Sequence, residues 1–233
     1  MSEPAGAVER FFAQWQVYRL CIEHNTLHHR QVEAVLRREA ELWPTGFRFL
    51  DLACGDAWTT SRVLAGKECG FYRGVDFSNE ALELALGNTA TLGCGCEFSC
   101  SDLLEYLRSA RGKFDVVYLG LSLHHFDGGA KREAMRLIRA ILSDGGFFYL
   151  YEPILRGSEG RAQCLARWKE NMDRTWTEFP AAAKDAVWEH VRSSDFPESE
   201  NTWMAMASEA GFREPAKLFR DAGDFYSLMR FRA

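Results

Sequence analysis

Two acids that close apolar runs carry the chemistry most visible in this chain. Phe47-Arg-Phe-Leu-Asp-Leu leads into Ala53-Cys-Gly-Asp-Ala57, and Tyr72-Arg-Gly-Val-Asp-Phe77 closes a second run at Asp76. Asp51 with the tight turn at Gly55 gives a loop that a ligand can approach closely. Asp76, one strand further on, offers a carboxylate to the hydroxyls of a ribose. The turn is not G-x-G-x-x-G, and Asp56 within it would repel the pyrophosphate of a dinucleotide, which wants open N–H groups at a helix start. A nucleoside cofactor without pyrophosphate is the better match. Nicotinamide-dependent redox chemistry, resting on Asp76 alone, is the alternative.

Other residues could handle protons or charge. His124 and His125 stand together, and imidazole is the side chain best suited to take a proton near neutral pH. Arg156, Arg161 and His190 lie in a charged stretch where a guanidinium could hold an anionic group of a substrate. The competing reading of each is a solvated surface charge. His190, Asp195 and Glu198 show no metal-ligand spacing, so no metal is expected there. Cys94, Cys96 and Cys100 form C-x-C-x3-C, which could take a soft ion but lacks the C-x2-C of common zinc sites. Cys96, Phe98 and Cys100 alternate as one face of a buried strand would, and the structural reading is preferred.

The elements that must position these groups alternate. Phe11, Trp15, Tyr18 and Ile22 share a helical face, a break falls near Asn25, and Val32, Val35, Leu36 and Trp43 make a second face that Pro44-Thr-Gly46 stops. Strands are predicted at 47–52, 71–75, 97–100, 114–119 and 147–151, with helices between them and Ser78 capping one. Asp144-Gly-Gly146 reads as a turn. Residues 154–199 carry Trp168, Trp176 and Trp188 among charges with no strand signal, and 190–198 reads as a loop. A helix at 203–210 and two strands at 216–219 and 225–231, joined by a short turn, close the pattern as a hairpin. The fold class is α/β: a Rossmann-like, seven-stranded, mostly parallel sheet with helices on both faces and a C-terminal antiparallel hairpin. Its divisions are N-terminal helices (1–45), a core (46–153), a helical insertion after the fifth strand (154–199), and the end of the core (200–233).

Bulk properties agree. The chain has 233 residues, 47% hydrophobic and 26% charged, with a formal net charge of -5. That suits a soluble globular domain, and no Lys/Arg block tracks a phosphate backbone, so nucleic acid is not an expected partner. No apolar run is long enough to span a bilayer, the first residues lack a secretory pattern, and seven cysteines form no regular framework. Free thiols in a reducing cytoplasm are the expectation.

Asp51-Leu-Ala-Cys-Gly-Asp-Ala57 resembles the D-x-G-x-G-x-G turn of class I S-adenosylmethionine (SAM) methyltransferases, with Ala53 and Ala57 at two glycine places and Gly55 kept. The resemblance implies that Asp51, Ala53, Cys54, Gly55 and Asp56 line the cofactor. Asp76 with Phe77 would hold the ribose, Ser101-Asp102-Leu103 would meet the adenine, and Leu119-Gly120-Leu121 would close the same edge. Ala53 is expected to avoid positive φ, where a Cβ is costly. Ser122-Leu-His-His-Phe126 resembles a run carried after the fourth strand by small-molecule methyltransferases of the ubiquinone and menaquinone type. Asn25-Thr-Leu-His-His-Arg30 is similar to their cofactor-covering segment, in which Arg30 would meet the SAM carboxylate. The implied enzyme turns SAM into S-adenosylhomocysteine (SAH) and methylates a small molecule. His124 and His125 are its candidate bases, although alignment of the two reactants can suffice. The missing glycines leave room for a non-catalytic SAM-fold subunit, and a homodimer is the assembly left open.

Overall fold

The computed structural model describes residues 17–233. Phe11 and Trp15 lie outside that range, while Tyr18 and Ile22 lie on a helix, α1, described over residues 17–23. The order continues with α2 (His29–Glu39), β1 (Phe47–Leu52), α3 (Trp58–Leu64), β2 (Cys69–Asp76), α4 (Asn79–Thr89) and β3 (Gly95–Cys100). Then come α5 (Leu103–Ser109), β4 (Phe114–Gly120), α6 (Gly128–Ile141), β5 (Leu142–Leu155), α7 (Arg161–Thr175) and α8 (Ala181–Ser194). A two-residue strand β6 (Glu198–Ser199), α9 (Glu200–Glu209), β7 (Arg213–Arg220) and β8 (Tyr226–Arg232) complete the chain.

The sheet runs β3-β2-β1-β4-β5-β8-β7, with β6 beside the end of β5. β8 is antiparallel to both its neighbours and the other pairings are parallel. Side chains alternate across the sheet as a period of two requires. Phe147, Tyr149 and Tyr151 of β5 join one buried cluster, with residues of α2, α3, α7 and α8. Phe148 and Leu150 join the other, with α5, α6 and α9. Each face is therefore roofed by helices, and a central strand of this kind is apolar throughout.

Polar anchors fix the helices on the first face. Trp43 Nε1–H donates to the Tyr149 hydroxyl at 2.9 Å, which in turn donates to Glu39 at 3.2 Å. Arg230 of β8 pairs with Glu39 at 2.8 Å. The Tyr151 hydroxyl donates to the Leu27 carbonyl at 2.8 Å, and Trp168 Nε1–H to the Tyr226 hydroxyl at 3.2 Å. Ser78 caps α4 as expected, its Oγ accepting from the Ala81 N–H.

Four local expectations are corrected. Ala53 sits at φ 51, and Ala57 at φ 55, on either side of Gly55 at φ 53. The turn keeps the left-handed backbone of the three-glycine pattern and carries two Cβ atoms in it, at a cost of roughly 1–2 kcal/mol each. β3 is the edge of the sheet, so its alternating face is only half buried and Cys100 is exposed. Asp144-Gly-Gly146 lies inside the span of β5, with Gly145 at φ 76 taking up an irregularity of register against β4. His190 lies on α8, because the Ala-rich run from 181 extends the helix through Ser194.

Candidate functional site

The turns at the carboxyl ends of β1 and β2 meet through one carboxylate. Asp76 Oδ2 accepts from the Gly55 N–H at 2.9 Å, and its Oδ1 accepts from the Ser78 N–H at 3.0 Å. Burial holds its acidity weaker than usual, against those bonds. A carboxylate accepts about four hydrogen bonds, so two such bonds leave capacity for two hydroxyls. Phe77, the next residue, is 81% exposed, a flat apolar surface at the mouth of the turn. Ser101 joins the same edge, its N–H donating to the Asp76 carbonyl at 2.9 Å.

The other acids of the edge are tied down. Asp51 is buried, and its Oδ2 accepts from the Thr60 hydroxyl at 2.5 Å and the Tyr72 hydroxyl at 2.7 Å. Burial pushes its pKa up to about 7. Asp56 accepts from the Trp58 N–H at 3.1 Å and from Asn88 at 3.4 Å, with burial raising its pKa to about 6. The head of α3 is thus capped by a carboxylate and is not open to a pyrophosphate. Asp102 caps α5, its Oδ1 accepting from the N–H groups of Leu104 and Glu105. Leu103 and Leu119 are core residues, so at those two places the backbone faces the edge. Leu121 has φ 55 and its N–H donates to the Tyr151 carbonyl at 2.7 Å. Cys54 is packed against Gly74, where a Cβ would meet its Sγ at 3.0 Å.

Helix α1 and the head of α2 lie over this edge. Burial, and then the charges of Asp56, Cys21, Asp51 and Asp76, raise the pKa of the Tyr18 phenol. Tyr18 meets the His29 ring edge-on at 5.7 Å. His29 is buried, its Nδ1 lies 3.1 Å from the Thr59 hydroxyl, and its Nε2 has no hydrogen-bond partner among the described residues. Arg30, the residue expected to face the SAM carboxylate, is exposed, and its guanidinium donates to the Glu23 carbonyl at 3.1 Å. Sequence reasoning missed Tyr18 and His29 as site residues. Tyr18 read as core, and the signal for His29 was its place within the quoted Asn25–Arg30 segment. These features fit SAM: an acid for the ribose, an open apolar face for the base, and an unpaired imidazole nitrogen for the amino-acid end.

A second polar centre lies past the end of β4. Glu152 is fully buried and accepts from the N–H groups of Ser122 (3.1 Å), Leu123 (2.8 Å) and His124 (3.2 Å). His124 Nδ1 lies 2.6 Å from its Oε2. Burial alone would lower the His124 pKa, but Glu152 outweighs it and holds the imidazole toward its charged form. His125 goes the other way, to about 4, through burial and the neighbouring His124. The tail of α8 closes over both. The Phe196 N–H donates to the His124 carbonyl at 2.7 Å, and Asp195 Oδ1 lies 3.7 Å from His124 Nε2 and 3.5 Å from His125 Nδ1. Arg161 Nε donates to the Asp195 carbonyl at 2.6 Å. His124, His125, Arg161 and His190 therefore gather around Asp195. Arg156 stands apart in a hollow of about 370 Å³ shared with Arg167, paired with Asp224 at 3.0 Å.

Residues 49–146 match a family model described as a methyltransferase domain. No curated protein matches the chain in sequence. Among solved structures the chain is similar to the magnesium protoporphyrin IX methyltransferase ChlM from Synechocystis with bound SAH, at 14% identity and TM-score 0.65, over 96% of this chain and 94% of that one. It is similar to the N-methyltransferase NodS from Bradyrhizobium japonicum in complex with SAH, at 16% identity and TM-score 0.59, over 87% and 86%. A possible exported protein from Bordetella parapertussis aligns at 16% identity and TM-score 0.63, over 87% and 67%. Likeness at these identities is a likeness of fold.

Proposed function

We propose that the protein is a SAM-dependent methyltransferase that methylates a small molecule held between the β4 edge and the α7–α8 cap, a reading supported by the methyltransferase-domain match over residues 49–146. The observation that carries this reading is the Asp76 carboxylate, bonded to the Gly55 and Ser78 N–H groups beside the exposed Phe77. SAM supplies a methyl group on a sulfonium, which any well-placed nucleophile can displace. The protein's share is to place the two reactants. Asp76 fixes the ribose, Phe77 faces the base, and the αL turn brings the Gly55 backbone close. His29 is the partner for the amino-acid carboxylate. α1 and α2 cover that half of the site, and 154–199 walls the acceptor half, with Arg161, His190 and the histidine pair lining it.

A small acceptor in a reducing cytoplasm is supported by the net charge of -5 and by seven cysteines that are all free. No helix among the described residues is long and apolar enough to cross a membrane. The nicotinamide reading loses its footing, since Asp56 occupies the head of α3. Calorimetric titration with SAH and SAM tests the cofactor, and transfer of labelled methyl from SAM into a metabolite extract tests the reaction. Absence of binding at millimolar concentration overturns the first. Binding without any labelled product would leave a non-catalytic SAM-fold subunit as the better description.

A further inference from the structure

We propose that His124, His125 and Asp195 are the three protein ligands of a divalent first-row transition-metal ion. The inference starts from one atom. Asp195 Oδ1 is buried and has no hydrogen-bond partner among the described residues. An unpaired carboxylate oxygen in such a place is costly and calls for a partner.

Three imidazole nitrogens surround that oxygen at matched range. His125 Nδ1 is at 3.5 Å, His124 Nε2 at 3.7 Å and His190 Nε2 at 3.9 Å. His125 Nδ1 also lies 3.1 Å from the Ser194 carbonyl, a hydrogen bond that must be given up, with its proton, for that nitrogen to bind an ion. Hydrogen bonds of this kind close to about 2.7–3.2 Å. Ligands bound tetrahedrally at about 2.0–2.1 Å from an ion stand roughly 3.4 Å from one another. One donor atom from each of His124, His125 and Asp195 lies within 4.8 Å of the others. The spacing is that of groups sharing a centre rather than bonding one another.

The surroundings are built to aim these donors. Glu152, pinned by three backbone N–H groups, holds His124 through Nδ1 at 2.6 Å and so turns Nε2 toward Asp195. A carboxylate behind a histidine is the usual way a protein orients an imidazole ligand. Asp195 is positioned through its backbone, by Arg161 on its carbonyl and by the Phe196 N–H on His124, which leaves Oδ1 uncommitted. Two imidazoles and one carboxylate suit zinc, iron(II), cobalt or nickel, and no thiolate is present to select a softer ion. The side bearing His190, whose side chain is 57% exposed, is the open one. A fourth position there would hold water or an oxygen atom of the methyl acceptor. That last use rests on the methyl-transfer reading, whereas binding of the ion does not.

The test uses untagged, chelator-treated protein of the full chain, titrated with cobalt(II) and followed by its visible absorption. Elemental analysis after loading with zinc and desalting gives the stoichiometry. One equivalent per chain is expected, without the thiolate charge-transfer band that a cysteine site would show. Affinity should fall at least tenfold in His125→Gln and in Asp195→Asn and stay unchanged in His24→Gln. Circular dichroism checks that each variant folds, and His125, partly exposed, is the safer of the two. Equal cobalt affinity in wild type, His125→Gln and Asp195→Asn would overturn the proposal and leave the cluster as a network of ion pairs. Binding with a thiolate band that survives both substitutions would overturn it in favour of the cysteines. SAH titration in parallel separates the two readings: loss of SAH binding with the cobalt site intact strikes only the methyltransferase, and the converse strikes only the metal site.

Discussion

The edge formed by β1 and β2 and the centre beneath the α8 tail both bury carboxylates, and they treat them differently. Asp76 is served by N–H groups of its own turn and the neighbouring one, and Asp56 by Trp58 two residues on. Glu152 and Asp195 belong to segments that meet only in the folded chain: the end of β5, the 3₁₀ turn at Leu123–His125 and the end of α8. The first region joins the turns of two neighbouring core strands, β1 and β2. In the second, Glu152 is met within the core by the 122–124 turn, and Asp195 is brought in by the docked cap.

The comparison breaks most visibly at Glu152. Glu152→Ala strands three N–H groups and one imidazole in the interior, and should cost about 3–5 kcal/mol of stability, read by denaturant unfolding. Glu152→Gln, which keeps an acceptor oxygen, should cost distinctly less. A loss below about 1 kcal/mol in the alanine variant would mean that water replaces the carboxylate.

On the other side, Asp76→Ala should weaken SAH binding roughly ten- to a hundredfold, about 1.4–2.8 kcal/mol, with the fold intact. Unchanged calorimetric affinity would remove Asp76 from the site.

His29 sharpens the contrast through pH. Burial and the adjacent His28 lower its pKa to about 4. The folded protein therefore binds fewer protons there than the unfolded chain between about pH 6.5 and 4. Stability must fall as pH falls through that window, by about 2 kcal/mol at pH 5 for the cofactor-free protein. Melting curves from pH 7 to 5 should show a smaller drop in His29→Gln than in wild type. Parallel curves for the two proteins would refute a neutral, buried His29.

The smallest effect belongs to the turn. Ala53→Gly and Ala57→Gly remove a Cβ from left-handed backbone, and each should raise stability by about 0.5–1 kcal/mol after the entropy of glycine is counted. Destabilisation by either change would show that these methyl groups pack usefully.

What could be read from the chain divides along the same line. The strand–turn–acid units announce themselves because each apolar run and its turn are contiguous in the chain, and the helix cap at Ser78 falls where its residue type predicts. The sign of φ at Ala53 could not be read, since composition argues for negative φ and the closure of the turn onto Asp76 demands the reverse. Tyr18 looked like one more apolar-face residue, because its ring is amphipathic and nothing in its spacing reveals the His29 ring it meets. The convergence of His124, His125 and Asp195 was hidden for a different reason: Asp195 stands far along the chain, on an element whose docking is decided by tryptophan packing.

The sheet order also dictates an order of assembly. β8 lies between β5 and β7, so β7 gains its place only through β8. The 213–232 hairpin therefore completes the sheet through the single seam between β5 and β8. Until it does, the edge of β5 with Phe147, Phe148 and Tyr149 is an unpaired apolar strand, the kind of surface on which partly folded chains associate. A slow refolding phase, with aggregation that grows with protein concentration and is relieved once β8 docks, is the kinetic signature that this topology carries.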